Sequence, residues 1–457
     1  MSKFFNISKA AKHAIILCVI AILSFSGLGE KLSSGFVGLN DKDLMIRWTS
    51  LVAGGTRNAI PVTVVMVDDA TIQALGATGE TPRGFVADFI RLAARKGAGN
   101  ILVDIDFTKA GSQPEGDEAL GTFLKDYAAD APPLLLPKKF VTGKPQDNKP
   151  GKLEPTTSFL DALTADKPNI FWTASLAQVD EDRTIRRWQL SQTVCQDQTG
   201  TTYPSPQLIG TATMGAPKHS VQEVSAFLDF RTQKTCAKSK ADGPSWPRNA
   251  DDNATITFLF GTNPSANALH AIIQQGRVTP LYRQISARSL IGSDKNLLKP
   301  EAIAADLFQG RFVILGTDHG ESHDTHMTPL GMLPGALIVA NAVATAPAIL
   351  DSAELTETSR NATALGIFVV LALIAAFARA LVVAVIGGII CLVLLMVLGR
   401  IYAPATAIDI IITALGMGAI FTVLESLYDI VVSWRSGMKW RALLKPAKID
   451  PTHGQSE

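Results

Sequence analysis

From Ala362 to Ile430 the sequence is almost continuously apolar, broken only by Arg379, Arg400, Asp409, Glu425 and Asp429 among charged residues. Such a run constrains a chain severely, because a segment in lipid must satisfy every backbone N–H and C=O internally. Divided at the two arginines and Pro404, it gives three segments of about 17 to 22 residues, close to the roughly 20 that a spanning helix needs. A fourth apolar segment, Ala14 to Gly29, follows Lys3, Lys9 and Lys12, the flank expected of a signal anchor. Ser24 and Ser26 leave signal-peptide cleavage open.

These segments predict one transmembrane helix before a large exported region and three after it. The expected organisation is an N-terminal signal anchor (1–29), an extracytoplasmic domain (30–360), three transmembrane helices (361–432) and a short cytoplasmic tail (433–457). The tail carries Arg435, Lys439, Arg441, Lys445 and Lys448, which the positive-inside rule places in the cytoplasm. The chain is thus expected in a bacterial inner membrane, multi-pass, with its main domain in the periplasm. A net charge of +1 gives no reason to expect a nucleic acid as partner.

Two of the four cysteines, Cys195 and Cys236, fall in the exported region, where an oxidising compartment favours a disulfide between them. In the same region, Val62 to Val67 is a short β-branched run that reads as a buried strand ending at Asp68 and Asp69. A helix follows, with Thr81 as N-cap, Pro82 at the first helical position and Gly97 and Gly99 as stop. Ile101 to Phe107 reads as a second strand, parallel to the first. Further strands are expected at 134–137, 169–176, 184–190, 254–260 and 311–316. The fold class is therefore α/β, with a mixed, partly parallel sheet, joined to an α-helical membrane region.

Ligands of parallel sheets gather beyond the carboxyl ends of the strands. Asp68, Asp104 with Asp106, and Asp324 in the loop 318–324 all lie at or after such ends, with Arg83 at the start of the first helix. They form either a ligand-binding cluster or a structural carboxylate–arginine lock. The loop also holds His319, His323 and His326, three of seven histidines, whose spacing makes them weak metal candidates. No nucleophile elbow or triad order supports an exported hydrolase. No metal or other cofactor is expected.

The order of VTVVMVDDATIQALG, TPRGFVADFIRLAARKGAGNILVDIDF, DEALGTFL, VDEDRTIRRWQL, YRQISARSLIGS, GRFVILGT and LPGALIVANAVA resembles the type-2 CHASE family. Asp68, Pro82, Arg83, Asp104, Phe107, Asp117, Arg186, Gly316, Asp324, Thr328, Pro329 and Gly335 fall on the family's recurring pattern, whereas the histidines do not. The resemblance implies an extracellular sensory domain of the kind associated with cyclases and histidine kinases. About 25 residues follow Val432, fewer than a catalytic output domain needs, so the expectation is a sensory domain that is not an enzyme and acts through a separate signalling partner. The alternative is a structural or docking subunit of a cell-envelope assembly with no small ligand. Leu424, Leu427, Val431, Trp434 and Met438 form a short a/d stripe, and Ala384 with Gly388 and Ala414 with Gly418 are spaced for close helix contact. Partners are thus expected to include the lipid membrane and further copies of the chain, a homo-oligomer through its transmembrane helices.

Overall fold

A strand that is buried at every position can lie only inside a sheet covered on both sides. Val62–Val67 (β1) occupies such a place. The computed structural model describes residues 58–142 and 153–377, apart from short gaps of which 239–243, 248–253, 263–270, 293–301 and 352–356 are the longest, and isolated helical residues from 393 to 431. The strands Asn100–Val103 (β2), Leu134–Pro137 (β3), Ile170–Thr173 (β4), Tyr282–Ser286 (β5) and Phe312–Thr317 (β6) join β1 in one sheet of order β5-β1-β6-β2-β3-β4. Every pairing in it is parallel. The expected mixed sheet is thus a parallel six-stranded one, with antiparallel pairing confined to small separate sheets.

Side-chain alternation divides the core in two. Val62, Val64, Met66, Ile314 and Leu102 face the helices Pro206–Met214 (α4) and Gly335–Leu350 (α6). Val65, Val67, Val313, Leu315 and Val103 face Arg83–Arg95 (α2) and Pro114–Lys125 (α3). Between β1 and α2 lies a short helix, Asp69–Leu75 (α1), ended by Gly76 in the left-handed region. Another helix, Val221–Cys236 (α5), opens on a capping box in which Ser220 and Glu223 satisfy each other's backbone.

Several sequence expectations shift locally. α2 begins one residue later than expected, with Pro82 as N-cap and no side-chain cap bond, so Thr81 does not cap it. Gly97 ends it as expected, at φ +75°. β2 stops at Val103, and Asp104 leaves the sheet after a last bond from its N–H to the Leu315 carbonyl. The expected strand 254–260 is a strand only at Ala254–Thr255. Beyond it, the Asn341 side chain stands in for a neighbouring strand. Its Oδ1 accepts from the Leu259 and Phe260 amides at 2.6 and 2.7 Å, and its Nδ2 donates to the Phe260 and Leu337 carbonyls at 2.9 and 2.8 Å.

At the amino ends of β1, β5 and β6 sits Arg311, a fully buried guanidinium. It donates to Thr63 Oγ1 (2.7 Å) and to the carbonyls of Pro280 (2.9 Å), Val62 (2.7 Å) and Leu281 (3.2 Å). One side chain thus fastens the starts of three strands. In the small sheet formed by Ala177–Val179, Ile185–Trp188 and Ala254–Thr255, Arg186 closes on Asp180 at 2.9 Å and Asp182 at 2.6 Å.

The chain divides into two units, Asp41–Glu354 with Met396–Ala405, and Met1–Asn40, Leu355–Leu395 and Thr406–Glu457. The expected four membrane helices need correction. Among the described residues no helix is long and apolar enough to cross a membrane. The helix Glu357–Phe377 (α7) opens on the polar sequence Glu357 to Asn361. The segment 14–29 lies outside the described residues, as do most of 378–432, with Leu424, Trp434 and Met438 of the exit stripe and Ala384, Gly388 and Gly418 of the small-residue pairs.

Candidate functional site

Three adjacent strands, β1, β6 and β2, end in Asp68, Asp318 and Asp104. The chain leaves β1 toward α2 on one face of the sheet, and leaves β6 by way of a hairpin (Thr325–Thr328, β7; Gly331–Pro334, β8) to α6 on the other. Neighbouring strands whose connections part to opposite faces open a crevice at their carboxyl ends, the usual place for a ligand in such sheets.

Asp68 caps α1, accepting from Thr71 N–H at 2.8 Å and Thr71 Oγ1 at 2.6 Å. Burial pushes its carboxyl up, but hydrogen bonds from Thr71 and Ser286 outweigh this and hold it below the usual range. Asp69 accepts the Gly320 N–H at 3.1 Å, which ties α1 to the loop after β6. Asp318 continues the ladder through its N–H to the Val67 carbonyl, and its carboxyl is raised by burial and then by Asp68, Asp69 and Asp324. Asp324 bonds His326 Nε2 at 3.0 Å, and its backbone carbonyl accepts the Gly335 N–H at 2.9 Å. A Cβ at Gly335 would lie 2.4 Å from the Asp324 carboxylate and push it aside, so glycine lets α6 start with that acid in place.

Asp104 is the most perturbed acid of the group. Burial, and then the Asp324 carboxylate, push its pKa up to about 7, while His326 pulls it back. An acid that titrates higher in the folded chain than at its unfolded value of about 4 holds its proton more tightly when folded, so its contribution is complete below that value and is lost as pH rises through about 7. Asp318 and His326, both raised, act in the same sense, and Asp68, lowered, acts against them. One proton changes stability by about 1.4 kcal/mol per pH unit. Urea unfolding between pH 4 and 7 should therefore show Asp104→Asn with a flatter fall in stability than wild type; equal slopes would refute the assignment.

Arg83 and Asp106 belong to a different group. Arg83 Nη2 donates to the Asp106 carbonyl at 2.7 Å, and its guanidinium carbon stands 4.7 Å from the centre of the Phe107 ring. Its charged neighbours are Asp117, Glu80 and Asp106, whereas those of Asp104 are Asp324 and His326. The Asp106 carboxylate meets Lys139 Nζ at 2.8 Å. The five residues picked out by strand-end position therefore fall into two neighbourhoods along one edge.

His319 is buried, His326 is partly exposed on Asp324, and His323 lies outside the described residues. Among the described residues no group of three His, Cys, Asp or Glu side chains is placed to hold a metal ion. Sequence reasoning passed over Thr71 and Ser286. Thr71 follows Asp68 at the three-residue spacing of a cap, which was a readable signal; Ser286 is 215 residues from Thr71 and offered none. The joining of Cys195 to Cys236 is present, with Cα atoms 5.4 Å apart.

The family model of the CHASE2 domain matches residues 14–378. No curated protein and no solved structure matches the chain.

Proposed function

Because the chain belongs to the CHASE2 domain family, a family of extracytoplasmic sensory rather than catalytic domains, we propose that its α/β unit senses a ligand at the carboxyl edge of the parallel sheet. The observation that carries this reading is the meeting of Asp68, Asp318 and Asp104 on adjacent strands whose connections part to opposite faces. A periplasmic setting suits the Cys195–Cys236 bridge, since disulfides persist in oxidising compartments.

The edge has a natural output. α6 starts on it, its first amide bonded to Asp324, and most of its sixteen residues are buried against the sheet and α4. A ligand that favours one placement of the 318–335 segment would bias the start of α6, provided it binds the two placements unequally. The signal then passes to a partner protein.

Hydrogen exchange on the purified full chain, run against a small-molecule collection, tests this. At least one stabilising compound should slow amide exchange at 104–108 and 318–335. If every stabilising compound leaves those segments unchanged, or none stabilises, the reading fails.

A further inference from the structure

Three buried polar atoms near the start of α2 have no hydrogen-bond partner: Thr81 Oγ1, Arg83 Nε and Asp117 Oδ1. Thr81 and Arg83 are only 5% and 7% exposed. A buried polar group left unpaired costs about 1–3 kcal/mol, so three together call for an explanation. Thr81 and Arg83 both line a cavity of about 60 Å3 between the loop after α1 and the loop before α3. Gly111, in its opposite wall, separates Arg83 from Asp117; a Cβ there would lie 3.3 Å from Asp117 Oδ1 and 3.6 Å from Arg83 Nε.

The arginine is held in advance. Its Nη2 is bonded to the Asp106 carbonyl and its guanidinium carbon lies over the Phe107 ring, so Nε–H is a fixed donor without an acceptor. A guanidinium can only donate, so whatever answers Nε must present an acceptor, and a carboxylate oxygen is the acceptor that also matches its charge. A bare anion fits poorly, because Asp117, Glu80 and Asp106 already surround the guanidinium. Glu80, exposed at the rim, spends Oε2 on the Ser112 N–H at 3.1 Å and keeps Oε1 for a cation. Opposite charges thus face one another across a cavity with room for more than one water.

We propose that this cavity receives the head group of an α-amino acid, with the carboxylate on Arg83 and Thr81, the ammonium on Glu80, and any side chain directed to the open rim. This rests on the sensory reading above and narrows it to the loops that follow β1 and β2.

Thermal unfolding and isothermal titration of the full chain with glycine, L-alanine, acetate and methylamine provide the test. Glycine and L-alanine should raise the unfolding temperature saturably, whereas acetate and methylamine, each with half of the head group, should not. Glu80→Gln, at an exposed position, and Thr81→Val should each weaken glycine binding at least tenfold, and Asp324→Asn should leave it intact. No saturable response to either amino acid, as a cavity filled only by water would give, overturns the proposal. So does acetate matching glycine, or Glu80→Gln binding glycine as wild type does. If the amino acids fail while another compound slows exchange at 318–335, the head-group assignment falls and the sensory reading stands.

Discussion

Arg311→Met is expected to lower the unfolding free energy by about 3–5 kcal/mol, since it removes several hydrogen bonds from a charged donor worth about 1.5–3 kcal/mol each. The loss arises at four acceptors. Thr63 Oγ1 and the carbonyls of Val62, Pro280 and Leu281 all take hydrogen bonds from this side chain, and methionine fills the volume without replacing any of them. Two acceptors keep another bond, since Leu281 also receives the Val62 N–H and Thr63 Oγ1 also reaches the Leu307 carbonyl, which keeps the figure from going higher. Burial, with Arg283 adding to it and Asp306 opposing, pulls the Arg311 pKa down to about 10, so the group remains charged at neutral pH. Arg311→Lys keeps the charge but not the planar fork, and should recover part of the loss. Urea unfolding followed by circular dichroism measures both; a loss under about 1 kcal/mol for methionine would contradict the strand-fastening role assigned to Arg311.

The second large effect belongs to the Cys195–Cys236 bridge. It joins the strand Ser191–Gln196 to the last residue of α5 and closes a loop with a sequence separation of 41. Chain-entropy reasoning puts the stabilisation from a loop of that length at about 4 kcal/mol. The surroundings are fitted to it: a Cβ on Gly200, in the partner strand, would lie 2.7 Å from Cys236 Sγ and 2.4 Å from the Val194 carbonyl oxygen. Reductant should therefore move the wild-type urea midpoint down sharply, and a Cys195→Ser, Cys236→Ser double variant should start at the lower midpoint and ignore reductant. A wild-type midpoint that does not respond would mean the bridge contributes nothing.

What the sequence made legible follows from how local each signal is. β1 and β6 stand out as nearly continuous apolar runs because strands buried on both faces have no polar alternation to hide behind. α2 shows a 3.6-residue stripe because it covers the sheet with one side only. α6 shows no stripe, being apolar all round, so periodicity passed over it. The insertion of β6 between β1 and β2 depends on residues more than 200 positions apart, and no local pattern encodes it. Arg311 was invisible for a related reason, since a lone charge before a strand ordinarily reads as surface. The membrane expectation rested on counting apolar residues, and among the described residues no helix is long and apolar enough to cross a membrane. At the edge, strand-end position pointed to acids but did not say which of them are neighbours. Arg83 and Asp104 are separated by a choice of partners that only the packed loops reveal.

Asn341 determines what sort of movement α6 can make. Its amide grips Leu259 and Phe260 from the middle of the helix while also bonding back to Leu337. A creep of one residue along the axis would displace the amide by about 1.5 Å and break the three bonds to that segment together. The helix must therefore carry the 259–260 stretch along as a single rigid piece or stay where it is, which makes its response to any push at Gly335 a detent rather than a spring.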